Sequence, residues 1–283
     1  MKIESRNSWS RWALALVACA ALVGATGCNK LKARDQLNKG VQAYKNARYE
    51  NAIEHFKNAV SFDPQLSVAR LYLATAYAQQ YIPGADTPEN NQFAEQAIGE
   101  FKKVLEQNPP RESRVASQKG IASLYFNMKK MDDAKQWHQK AISEDPNDPE
   151  EYYSVGVIDW TVAYQADQKE RAELGMKPTD VMKDKKSCGR LKSANESVVK
   201  EGIDSLNKAL ELRPDYDDAM AYMNLLYRQK AYIECGDTQA YKNDVASADD
   251  WVKKMMETKR EKAAKQQGPG GIVLDQKQGG GNP

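Results

Sequence analysis

Histidine, metal-binding motifs and a surplus of charge of one sign are what this sequence lacks. Its 283 residues include two histidines, His55 and His138. No Cys-x-x-Cys, His-x-x-x-His or His-Glu-x-x-His occurs, so no zinc-ligand spacing is present. A Gly-rich phosphate loop and a Gly-x-Ser-x-Gly elbow are also missing. Carboxylates are plentiful, but they scatter along polar helical stretches, and abundance alone sets no acid opposite a base. The sequence reads as a non-enzyme that holds no metal and no cofactor, with each histidine packed or half-exposed on a helix. Basic residues number 41 and acidic residues 39. Residues 1–27 hold three of the former and one of the latter, which leaves 38 of each beyond them. Without a net positive field, nucleic acid is excluded as a general partner.

One uncharged apolar run stands out, Trp12 to Val23, and it is shorter than the ~20 residues needed to cross a hydrocarbon core. Lys2, Arg6 and Arg11 precede it, and Gly24, Ala25, Thr26 and Gly27 follow. Basic, apolar, then small is the layout of a secretory signal. The small patch ends at Cys28. Ala25-Thr26-Gly27-Cys28 resembles the lipobox of bacterial lipoproteins, with Ala25 standing where that motif favours Leu. The resemblance implies cleavage before Cys28 and a lipid on its thiol. Several acyl chains would anchor the chain firmly where one gives only marginal binding. Asn29, next in sequence, points by the enterobacterial sorting rule to the periplasmic face of the outer membrane.

Beyond residue 36 the chain repeats itself. Ala52, Phe56, Ala59 and Pro64 share one spacing with Ala134, His138, Ala141 and Pro146. Ala97, Phe101, Val104 and Pro109 follow it, and so do Gly202, Leu206, Ala209 and Pro214. A second pattern stands upstream of each of the four, as Gly40 and Tyr44; Leu73, Ala74 and Tyr77; Ile121, Ala122 and Tyr125; Val155, Gly156 and Trp160, and it recurs after the last as Met223 and Tyr227. This resembles the tetratricopeptide repeat, a helix–turn–helix in which small residues mark close crossings and a larger one fills the gap between units. No stretch alternates as a turn-bounded strand does. The expected fold is all-α, a tetratricopeptide-repeat solenoid of about five units over residues 36–263. Residues 1–27 are then a lipoprotein signal peptide, 28–35 a tether and 264–283 a disordered Gly-rich tail. Insertions fall near 81–92 and 165–195, the second beginning as an extension of its helix and stopping at Gly175 and Pro178. Ser247 to Gln267 reads as a basic terminal helix that caps the array.

The resemblance implies a groove lined by the first helix of each unit. Helical spacing points Tyr44, Gln79, Phe126, Asn127, Tyr153, Trp160 and Arg228 towards it, and aromatics and Arg suit a protein or peptide ligand. Leu37 and Val41 occupy positions where some members carry a carboxylate clamp, so that specificity is not implied here. The expected function is an interaction scaffold or adaptor in bacterial envelope assembly. The alternative is an envelope enzyme, or a subunit of one, that uses the 165–195 insertion.

Two cysteines remain once Cys19 leaves with the signal and Cys28 carries lipid. Cys188 lies in the insertion between the two helices of the fourth unit, and Cys235 at the matching turn of the fifth. Successive turns of this kind lie on one edge of the array, so a Cys188–Cys235 disulfide is expected, as suits an exported protein.

Overall fold

The computed structural model describes residues 27–177, 180, 182 and 184–267. The expected signal peptide, Gly27 apart, and the expected tail of 264–283 lie outside them, except residues 264–267, which are helical and not disordered because they continue the terminal helix. Among the described residues the chain is helical throughout, without a strand. It divides into two compact units, Met1–Glu144 and Asp145–Pro283.

The first unit holds three helix pairs: α1 (27–45) with α2 (Tyr49–Phe62), α3 (Ser67–Gln80) with α4 (Pro88–Glu106), and α5 (Arg111–Asn127) with α6 (Met131–Glu144). Small residues let these helices close on one another. A Cβ on Gly40 would stand 2.5 Å from the Phe56 ring, so only glycine fits at that crossing. On its other side the Phe56 ring stacks on Tyr72 of the next pair, centroids 5.5 Å apart. One continuous core follows, built on Ala52, Phe56, Leu73, Tyr77, Phe101 and Ile121.

Residues 28–35, expected as a tether, are instead the first turns of α1. Ala33 there is fully buried, Gln36 hydrogen-bonds His55 Nδ1 of α2 at 2.8 Å, and the Lys32 ammonium sits over the Phe62 ring. Such contacts order a segment that composition alone leaves open. The irregular part of the first insertion is 81–87, and its remainder begins α4. Buried Asn90 clasps that loop: its amide nitrogen donates to the Ile82 and Ala85 carbonyls, and its oxygen accepts from the Ile82 N–H. Thr87 caps α4 through the Asn90 N–H, and Pro88 opens the helix.

The second unit holds α7 (Pro149–Glu173) with α8 (Lys185–Leu212), and α9 (Asp217–Tyr232) with α10 (Thr238–Gln267). Asp148 caps α7, accepting from the Glu150 N–H at 3.0 Å, with Pro149 at the first helical position. Gly156 and Leu206 interlock as Gly40 and Phe56 do in the first unit. The long insertion is mostly helix. α7 runs on to Glu173 and stops where Gly175 takes a left-handed φ of 64°. α8 starts early, at Lys185, with Asp184 accepting from the Ser187 N–H. The basic terminal helix is not a separate element: it is the far half of α10, one helix from Thr238 that packs along α9. Lys262 reaches back to Asp217 at the start of α9, 2.6 Å away.

The two helical extensions enclose a small second core of Met182, Cys188, Leu191 and Ile233. The Cys188–Cys235 disulfide closes it, with Cα atoms 5.4 Å apart. Beside it lies a buried ion pair that the sequence does not announce. Arg171 Nε donates to both Asp167 oxygens at 2.8 Å, and its Nη1 donates to the Asp180 carbonyl at 2.6 Å. The guanidinium lies 4.6 Å from the Tyr232 ring centroid.

Candidate protein-interaction faces

In the first unit, α3 and α5 lie side by side and bound a depression of about 550 Å³. Val68, Leu71, Thr75 and Gln79 follow one another at helical spacing along its α3 wall. Ala116, Gly120, Ser123 and Asn127 do the same on α5, and their small size is what leaves the depression open. Phe101, pressed against Gly120, and Leu124 close the bottom. Thr75 turns its hydroxyl back to the Leu71 carbonyl at 2.9 Å, which leaves its methyl facing outward from that bond. Gln79 and Asn127 have no side-chain hydrogen bond among the described residues. The result is an apolar hollow with two free amides at its edge.

Two residues expected in this groove stand apart from it. Tyr44 is half-buried, its ring edge-on to Tyr49 at 5.3 Å, and burial raises its hydroxyl pKa. Phe126 is half-buried and does not line the depression. Conversely, Val68, Leu71, Tyr72 and Ser123 line it without having been singled out. Their signal in the sequence is the run of small residues on α5, which marks where side chains are missing.

In the second unit the matching face is aromatic. Tyr153, Trp160 and Tyr164 follow one another on α7, and Tyr222 faces them from α9. Trp160 stacks on Tyr164 at 5.2 Å and meets Tyr222 edge-on at 5.3 Å. Tyr153 meets Tyr222 at 5.6 Å and Tyr216 at 4.9 Å. These rings pack on one another, yet Tyr164 stays 39% exposed. Burial pushes the Tyr153 hydroxyl up to about 12, with Tyr222 and the Asp218 and Glu150 carboxylates adding to the rise. Glu150 anchors the edge of the cluster, accepting from the Tyr216 hydroxyl and from Arg213 Nη1 at 2.6 Å. Burial works against its charge, but these two donors outweigh it and hold the carboxyl below its ordinary pKa. Arg228 is held away from this aromatic cluster, with Nε on Asn224 and Nη2 on Asp249 of α10 at 2.8 Å.

The histidines are packed. His138 is buried in α6, and His55 is bound to Gln36. Among the described residues no cluster of His, Cys, Asp or Glu could hold a metal ion.

The sequence profile of the tetratricopeptide repeat matches residues 120–148, from the middle of α5 through α6. Several solved structures share this fold of paired helices. The crystal structure of MamA protein is 16% identical, with 82% of this chain and 94% of that one covered at a TM-score of 0.54. The fold is of the tetratricopeptide-repeat solenoid class. MamA from Desulfovibrio magneticus RS-1, residue 41 to the end, is 16% identical over 81% and 96%, at 0.53. YrrB, described as a tetratricopeptide-repeat protein with an unusual peptide-binding site, is 15% identical over 86% and 98%, at 0.51. At these identities the likeness is one of fold. No curated protein matches the chain in sequence.

Proposed function

We propose that the chain is a membrane-anchored scaffold of the bacterial envelope that holds a protein or peptide against the first-helix faces of its tetratricopeptide repeats. The observation that carries this reading is the α3–α5 hollow with Gln79 and Asn127 at its edge. A bound peptide offers backbone N–H and C=O groups, which a free side-chain amide can both accept from and donate to. Its apolar side chains would fill the hollow, whose volume of about 550 Å³ suits one or two of them. An apolar centre with a polar edge is the usual anatomy of a protein contact. The description of YrrB supplies a precedent for peptide binding on this fold. In the second unit Tyr153, Trp160 and Tyr164 would supply rigid aromatic area with few rotors to freeze.

The anchor is Cys28. Its thiol is free and exposed at the start of α1, which suits lipid attachment there, and the short apolar run before it suits export. Among the described residues no helix is long and apolar enough to cross a membrane. The lipid would place the repeats on the periplasmic face of the outer membrane, where an adaptor for envelope assembly would work.

Capture from detergent-solubilised membranes tests the scaffold. Gln79→Ala with Asn127→Ala should weaken capture of the bound partner by tenfold or more, and Leu71→Glu should abolish it. If both variants retain every partner, the hollow is not the site. Tyr153→Ala with Trp160→Ala asks the same of the aromatic face. Intact mass of the membrane-extracted protein tests the anchor: an unmodified mature N-terminus other than Cys28 would rule it out, and Cys28→Ser should leave the membrane fraction.

A further inference from the structure

The small core at the disulfide has more room than packing requires. A cavity of about 460 Å³ opens beside it, within the range of roughly 300–1,000 Å³ typical of small-molecule sites. Its apolar wall comprises Met182, Ala231, the rings of Tyr232 and Tyr241, and the Cys188 and Cys235 sulfur pair. Four charged residues border it: Lys185, Lys242, Glu234 and Asp237. Neither acid is paired with either lysine. Asp237 caps α10, its Oδ1 accepting from the Gln239 and Ala240 N–H groups at 3.0 and 2.9 Å. Glu234 also borders a second cavity with Lys192 and Lys230, and burial, followed by the Asp244 carboxylate, raises its pKa. The lysines are uncommitted: neither Lys185 nor Lys242 has an ion pair or hydrogen bond among the described residues.

We propose that this cavity binds an amphipathic carboxylate, an apolar chain or ring that ends in one acid group. The apolar body lies against the disulfide, Tyr232 and Tyr241, and the carboxylate meets Lys185 and Lys242. A free fatty acid has this chemistry, and so does the C-terminal residue of a protein that ends in a large apolar side chain. The site is separate from the first-helix faces, so it stands or falls apart from the scaffold reading.

The disulfide makes the site testable from two directions. It forms part of the wall, so a ligand seated against it covers the sulfurs and slows attack by an outside thiol. Decanoate, decanol and acetyl-Gly-Gly-Phe, the peptide with a free or an amidated terminus, are titrated calorimetrically against the oxidised protein. Bound acid is then tested for its effect on the rate at which dithiothreitol converts Cys188 and Cys235 to thiols, itself becoming the cyclic disulfide. Expected are one acid per chain, at least tenfold tighter than its neutral counterpart, and a several-fold slower reduction. Lys185→Glu with Lys242→Glu should lose at least tenfold in affinity. Both lysines are exposed, so circular dichroism should show the fold intact. Binding of decanoate alone would identify a fatty-acid source, and binding of the peptide acid alone a protein terminus. The proposal is overturned if neither acid binds, if the neutral counterparts bind as tightly, if the lysine variant binds equally well, or if bound acid leaves the reduction rate unchanged.

Discussion

Gly120 of α5 lies so close under the Phe101 ring of α4 that a Cβ on it would stand 2.5 Å from the ring. Gly99, two residues before Phe101 and so on the opposite side of α4, would have nothing within 4 Å of an added Cβ. The two glycines therefore respond oppositely to alanine. Gly99→Ala should stabilise by about 0.5–1 kcal/mol, because a helix interior favours Ala over Gly. Gly120→Ala gains the same propensity but must push the ring aside, and overpacking of this kind costs about 1–3 kcal/mol. Its net effect should be destabilising. Urea unfolding of both variants checks this, and equal shifts of the same sign would show that the crossing is not tight.

That contrast also shows why the fold was legible in the sequence. Ala and Gly at fixed offsets from Phe56, Phe101 and Leu206 are the imprint of helices that touch backbone to ring, and the imprint survives substitution of nearly everything else. The expected insertions were legible as departures from the repeat, and the run-on of α7 up to Gly175 was legible as helix, but the early start of α8 was not. The stretch from Gln165 to Leu174 reads as a solvated polar helix, yet Asp167 and Arg171 within it are almost fully buried. Tyr232 covers the Arg171 guanidinium and the Asp180 carbonyl accepts from it, contacts outside the helix that no local periodicity records. The groove was half legible for a related reason. Spacing along one helix finds Gln79 and Asn127, but whether a side chain such as Arg228 points into a groove depends on a partner, here Asp249, on another helix.

The Asp167–Arg171 pair should be costly to break and cheap to replace whole. Each side chain is at most 2% exposed, and Arg171 also holds the Asp180 carbonyl. Asp167→Ala strands a buried guanidinium, which costs about 3–5 kcal/mol in comparable cases. Asp167→Leu with Arg171→Met removes both charges and should recover most of that loss. Denaturant unfolding of the two variants decides the matter. A single substitution that costs under about 1 kcal/mol would mean that water reaches the pair.

The disulfide closes a separation of 47 residues across the second unit. Loop-closure reasoning gives about 2–4 kcal/mol of stabilisation for such a bridge, mainly through the unfolded chain. Cys188→Ser with Cys235→Ser should lower the unfolding midpoint accordingly, and dithiothreitol should shift the native protein to the same value without affecting the variant. Thiol labelling of the unfolded, non-reduced protein should modify neither residue. Labelling of both would show that the bridge is not formed.

Tyr153 offers a pH test of the aromatic face. Its hydroxyl is raised to about 12, first by burial and then by Tyr222, Asp218 and Glu150, against about 10 for an exposed tyrosine. A group whose folded pKa lies above its unfolded value stabilises the fold fully below the unfolded value, and that contribution is lost as pH rises through the folded one. Below pH 10 the hydroxyl is neutral in both states and the full contribution is present. Between pH 10 and 12 the unfolded chain ionises while the folded ring resists, so stability falls. Tyr153→Phe removes the titrating group and keeps the ring contacts with Tyr216 and Tyr222. The variant should therefore match the native protein at neutral pH and lose less stability between pH 10 and 12. Thermal unfolding across that range, with tyrosinate absorbance read on the same samples, measures both effects. Parallel pH profiles for the two proteins would mean that Tyr153 titrates like an exposed residue, and that the α7–α9 face is more open to water than its ring contacts imply.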